Sequence, residues 1–88
     1  MAVEKDKRIG VVTHFYNKIQ VAVVRLTDKV AQGDRVRFQG ENTDFQQEVT
    51  SLQIEHAPVD EASAGMEVAL KVEGRVRQGD GLYRATPD

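Results

Sequence analysis

From Met66 to Glu73 the chain alternates without interruption: Met66, Val68, Leu70 and Val72 share one parity, and Glu67, Ala69, Lys71 and Glu73 the other. A side-chain period of two predicts a strand with one dry face and one wet face. The stretch before it, from Val59 to Gly65, is polar and small and predicts a turn. Within it, Asp60-Glu61-Ala62-Ser63 has the composition of a single helical turn.

The same patterning extends upstream. Arg8 to Tyr16 reads as a strand, with Ile9, Val11, Thr13 and Phe15 on one face and Gly10, Val12, His14 and Tyr16 on the other. Asn17-Lys18 separates it from a β-branched run, Ile19 to Thr27, so the two form a hairpin. Asn17 suits a positive φ, whereas Lys18 is not the preferred glycine, which allows a wider turn. In the second run Ile19, Val21 and Val23 alternate with Gln20, Ala22 and Val24. Two apolar faces place that strand inside a sheet rather than at its edge.

Asp28 to Asp34 is a loop ending in Gly33-Asp34, a tight turn in which glycine permits a left-handed residue and Asp bonds the following backbone. Arg35 to Gln39 is a short strand with Val36 and Phe38 inward. From Phe45 to Ala57 the parity changes: Phe45 and Val49 share one, and Leu52, Ile54 and His56 the other. One straight strand cannot present both sets to one core, which predicts a bulge or bend near Thr50-Ser51. Pro58 ends that strand by removing a ladder donor. Gly74 to Gly81 is a loop, and Leu82 to Ala85 a closing strand. No internal repeat is read. The expectation is an all-β fold, a small closed barrel of about six strands in Greek-key or meander order, over residues 8–85, with residues 1–7 and 86–88 as flexible ends.

Composition narrows the class. At 88 residues one domain is expected, hiding about 60–65% of its unfolded surface. There is no cysteine, so neither disulfides nor a cysteine-based metal site supports the fold. No apolar run approaches the roughly 18 residues of a membrane span, and no secretory segment is seen. The expected location is the cytoplasm, without a membrane partner. Net charge is −2, unlike a free-standing nucleic-acid binder.

The order of Gly33-Asp34-Arg35-Val36, the run from Val59 to Val72 and Arg77-Gln78-Gly79-Asp80-Gly81 resembles the second, β-barrel domain of elongation factor Tu-type translational GTPases. The frame also includes I-G-V-V at the start and T-S-L-Q-I in the bent strand, and covers roughly Arg8 to Ala85. The I-G-V-V-T-x-F-Y opening with its short hairpin is similar to the C-terminal barrel of the collagenase-like peptidase family. The first resemblance implies contact with tRNA, and Thr13 is the position that matches that pocket. No phosphate loop of the G-x-x-x-x-G-K-[ST] kind is present, so nucleotide is not expected. The second resemblance implies an accessory domain beside a catalytic one.

Candidate chemistry is sparse. His14 and His56 lack metal-ligand spacing, Asp60-Glu61 falls in a turn facing solvent, and no G-x-S-x-G elbow exists. No catalytic residue, metal or cofactor is assigned, and an enzyme is not expected. Arg25, Arg35 and Arg37 would gather on one face if the strand from Ile19 to Thr27 pairs with that from Arg35 to Gln39. Arg75 and Arg77 form a second group near Arg84. With Phe15, Tyr16 or Tyr83 beside them, these arginines would suit a phosphate backbone with stacked bases. Glu48, Glu55, Glu67 and Glu73 would instead balance them as solvated faces. The main expectation is an elongation-factor-like module binding tRNA, rRNA or a ribonucleoprotein in translation or RNA modification. The alternative is a protein-interaction domain acting beside a separate catalytic chain.

Overall fold

A computed structural model describes residues 7–55 and 57–85. They form ten strands and no helix: β1 (Lys7–Tyr16), β2 (Val21–Leu26), β3 (Val30–Ala31), β4 (Arg35–Gln39), β5 (Asp44–Glu48), β6 (Leu52–Ile54), β7 (Ala57–Pro58), β8 (Glu61–Ala62), β9 (Glu67–Lys71) and β10 (Gly81–Arg84). Eight make one antiparallel sheet in the order β5-β4-β10-β1-β2-β9-β6-β7, and β3 pairs with β8. Residues 1–6 and 86–88 of the expected flexible ends lie outside the described residues, whereas Lys7 pairs with Arg84 as the start of β1.

The alternation of β9 holds: Val68, Leu70 and the following Val72 are buried, while Glu67 and Lys71 are exposed. Met66 departs from it, at 38% exposure. Ala22, Val24 and Leu26 of β2, Val36 and Phe38 of β4 and Leu82 of β10 complete the same core with Ile9 and Val12. β2 lies between β1 and β9, inside the sheet as its two apolar faces predict.

In β1 the simple two-face reading fails. The register slips between Arg8 and Gly10 and again between Val12 and His14. Each slip inserts an unpaired residue and reverses the parity; the first lets Ile9 and Val12 both be buried although they stand an odd number apart. The hairpin connection is four residues long, 17–20, and Gln20 rather than Asn17 takes the positive φ, at 57°.

The bend near Thr50-Ser51 is present. β5 pairs with β4 on one side of the sheet, and β6 pairs with β9 on the other. Residues 49–51 carry the chain across in non-strand conformation. Val49 is buried with the Gln47 parity and Leu52 with the opposite one. Past Glu55 the chain reverses into β7, where Pro58 sits in a two-residue edge strand that tolerates its missing N–H.

The sheet is not closed by backbone pairing; β5 and β7 are its two edges. A closed barrel would need a ladder joining β5 to the far side. The buried Gln47 side chain instead ties β5 to the end of β9, its Nε2 donating to Lys71 O at 2.8 Å while its Oε1 accepts from Glu73 N at 2.8 Å. The expected count of about six strands also changes, because the long segments break at bends. The helical turn expected at Asp60–Ser63 is instead extended: Glu61 and Ala62 pair with Ala31 and Val30, which supply backbone partners that a lone turn lacks.

Two turns share one sequence, Gln-Gly-Asp, and one geometry, a repetition not read from the sequence. In the first, Ala31 N donates to Asp34 Oδ2 at 2.9 Å and Asp34 N to Ala31 O at 3.1 Å. In the second, Arg77 N donates to Asp80 Oδ2 at 2.9 Å and Asp80 N to Arg77 O at 3.0 Å. Gly33 and Gly79 take φ values of 94° and 97°, where a Cβ is strained. The aspartate therefore caps the preceding backbone, not the following one.

Candidate functional site

The strand pairing expected to gather Arg25 with Arg35 and Arg37 does not form. β2 and β4 are separated by β1 and β10, so Arg25 lies three strands from Arg35 and Arg37, a gap of about 14 Å. Arg37 is engaged in a fork with Asp44, Nε to Oδ1 at 2.9 Å and Nη2 to Oδ2 at 3.1 Å. Those hydrogen bonds, more than the bare charge, hold the Asp44 carboxyl below its usual range. Arg35 Nε approaches Gln46 Oε1 at 3.4 Å. Arg75 and Arg77 are exposed in the loop before β10. Arg84 is turned aside, its Nη1 donating to Asp34 Oδ2 at 3.3 Å and its Nη2 to Lys29 O.

Other candidates are equally dispersed. His14 is exposed and lies with its ring 4.3 Å from that of Tyr16; His56 is outside the described residues. Asp60 and Glu61 face solvent. Among the described residues no group of three or more His, Cys, Asp or Glu side chains is placed to hold a metal, and no helix is long and apolar enough to cross a membrane.

What the fold does assemble is a groove of about 560 Å³ on the outer face of the sheet. Its floor is Val21 and Val23 of β2 and Ala69 of β9, the last directly opposite Val23 and Gln53. One wall is the β1–β2 connection, with Tyr16 49% and Ile19 60% exposed. The acidic side is Glu67 of β9 and Glu55 of the β6–β7 connection.

The strand irregularities shape this site. The second slip in β1 sets the Thr13 hydroxyl 3.0 Å from Glu67 Oε2 and 3.2 Å from Val23 O, so its single proton serves one acceptor at a time. Glu55 adopts a φ of 51°, and Gln20 beside Ile19 one of 57°; no other described residue except glycine has a positive φ. Such conformations cost about 1–2 kcal/mol for a residue with a Cβ. Glu55 has no hydrogen-bond or ion-pair partner among the described residues.

The sequence offers Thr13, Tyr16, Glu55 and Glu67 in other roles but does not join them, because they come from three distant segments. One signal was available: Val21 and Val23 make β2 apolar on both faces. That pattern implies depth within the sheet, and the outer face is in addition half-buried and forms the groove floor.

No protein-family model matches the chain. It is 38% identical over 76 residues to an uncharacterized protease of Methanocaldococcus jannaschii, a match covering 85% of this chain and 19% of the relative. The chain thus spans about a fifth of that relative's length. Two structures of the C-terminal domain of a putative U32 peptidase from Geobacillus thermoleovorans, one a selenomethionine variant, superpose with TM-scores of 0.85. They are 21% and 19% identical, and the match covers 89% and 98% of this chain and 99% of each domain. At those identities the likeness shows the fold. It supports the peptidase side of the resemblance read from the sequence. The elongation-factor side finds no support there, and its translation and RNA-binding expectations are overturned, since the similar proteins are a protease and a peptidase C-terminal domain.

Proposed function

We propose that residues 8–85 form a non-enzymatic accessory domain, without a cofactor, that acts in the cytoplasm by docking on a peptidase-like catalytic chain. The observation that carries this reading is one of coverage. The match takes in 99% of each peptidase C-terminal domain but 19% of the protease relative, so the similarity is to an appended part of larger peptidase-type proteins. The chemistry agrees, because the polar side chains with defined partners are engaged in turn capping and strand bridging. An accessory domain contributes through contact, and interfaces between domains typically bury about 600–1,500 Å² with a mixed apolar and polar character. The groove floor and its acidic side have that character.

The test is to mix the chain with a U32-type catalytic chain lacking its own C-terminal domain and follow sedimentation velocity and peptide hydrolysis. A discrete complex, accompanied by a changed rate or substrate range, is the expected result. Two chains that sediment independently, with hydrolysis unchanged, would contradict the proposal.

A further inference from the structure

The groove has a chemical polarity that narrows what it receives. Its floor is aliphatic, its charged lining residues are Glu55 and Glu67, and an exposed tyrosine stands on one wall. A purely apolar occupant would bury one or both carboxylates without a counter-charge, a costly arrangement. A purely polar one would leave Val21, Val23 and Ile19 wet. A long side chain with an aliphatic stem and a cationic head satisfies both parts, because such side chains lay their methylenes on apolar surface and keep the charge at the rim.

We propose that this groove is an anchor site for an arginine-bearing extended segment of the docking partner, the stem lying on Val21, Val23 and Ala69 and the guanidinium meeting Glu55 and Glu67. The inference rests on the accessory-domain reading for the identity of the partner. Arginine fits better than lysine, since its planar fork serves two carboxylates at once and its face stacks on a ring. Tyr16 supplies that ring, itself held against His14 at 4.3 Å. Glu67 is set in advance by the Thr13 hydroxyl at 3.0 Å, which limits the ordering needed on binding. Of the basic neighbours none lines the groove: Arg25 stands opposite Glu67 with no ion pair to it, Lys71 lies beyond Ala69 in an adjoining dent, and Lys18 lines a separate dent on the β1–β2 connection.

The probe is a blocked pentapeptide of alternating leucine and arginine, compared with the same peptide carrying citrulline, which keeps the shape and loses the charge. Titrated into the full chain and followed by backbone amide shifts, the arginine peptide should move Val21, Val23, Gln53 and Ala69. The citrulline peptide should bind about three- to tenfold more weakly, the worth of two partly exposed charge pairs. In the Glu55→Gln/Glu67→Gln double variant that preference should vanish. Equal affinities, shifts elsewhere or no shifts would overturn the proposal. Concentration-dependent self-association abolished by Ile19→Asp would also overturn it, by assigning the groove to a second copy.

A parallel titration with the catalytic chain separates the two ideas. Binding that ignores the double variant overturns the groove assignment and leaves the accessory reading standing. Peptide binding in the groove with no binding to the catalytic chain does the reverse.

Discussion

The 77–80 turn and the 17–20 turn both join strands of the large sheet, yet they handle polar and apolar groups in opposite ways. In the first, Gly79 provides the positive φ, Asp80 is 7% exposed, and its carboxylate is consumed by the Arg77 amide. Gly40 packs so closely on Asp80 that a Cβ there would overlap the carboxylate. In the second, a glutamine takes the positive φ, and Ile19 projects at 60% exposure beside Tyr16. One turn is built to be stable. The other accepts backbone strain and leaves apolar surface in water, and it borders the groove. Residues that reduce stability without a structural return are where a function is sought.

The contrast is most sharply broken at Asp80. Asp80→Ala should cost about 2 kcal/mol by removing a buried carboxylate and orphaning the part-buried Arg77 amide, roughly a 10 °C fall in Tm at this size. Gly40→Ala should cost about 1–3 kcal/mol through the same carboxylate. The equivalent change in the twin turn, Asp34→Ala, should cost less, about 1 kcal/mol, because Asp34 and its partner Arg84 are each about one-third exposed. Equal losses at Asp34 and Asp80 would show that local capping, and not burial, sets the value. Urea denaturation of the three variants settles the order.

At the other turn the sign reverses. Gln20→Gly should stabilise by about 0.5 kcal/mol, the relief of left-handed strain exceeding the extra chain entropy of glycine. A loss would mean that Gln20 is held by interactions worth more than its strain.

The smallest effect concerns pH. Asp44 is held below its usual pKa in the folded state by Arg37. Its contribution is therefore present above the unfolded value and lost as pH falls through the folded one. Arg37→Gln should lower stability slightly above about pH 4, with the difference from the parent vanishing as pH falls through the folded value, so that the acid limb is flatter.

Much of the fold is legible where the pattern is local. The alternation from Val68 to Val72, the inward Val36 and Phe38, and the parity change between Val49 and Leu52 each follow from a period of two and are all present. Where tertiary partners decide, sequence reasoning falls short. The first slip in β1 buries Ile9 and Val12 together, the β3–β8 pairing draws Glu61-Ala62 out of a helical turn, and a Gln47 side chain, not a closing ladder, ties β5 to β9. The groove was least legible, since Tyr16, Gln53 and Glu67 meet only after the sheet has formed. The grouping of Arg25 with Arg35 and Arg37 fails for the same reason: it required β2 beside β4, and two strands intervene.

The central claim is that function resides at the groove and stability at the glycine-aspartate turns. Its most direct test measures Tm and Kd for the catalytic chain on two variants side by side at 10 °C. Ile19→Asp should weaken binding at least tenfold, the loss of about 1.4 kcal/mol of apolar contact, with Tm within about 2 °C of the parent. Asp80→Ala should lower Tm by roughly 10 °C and leave Kd unchanged. An Ile19→Asp variant that binds as the parent does, or an Asp80→Ala variant that remains folded at 10 °C and loses binding, would contradict the account.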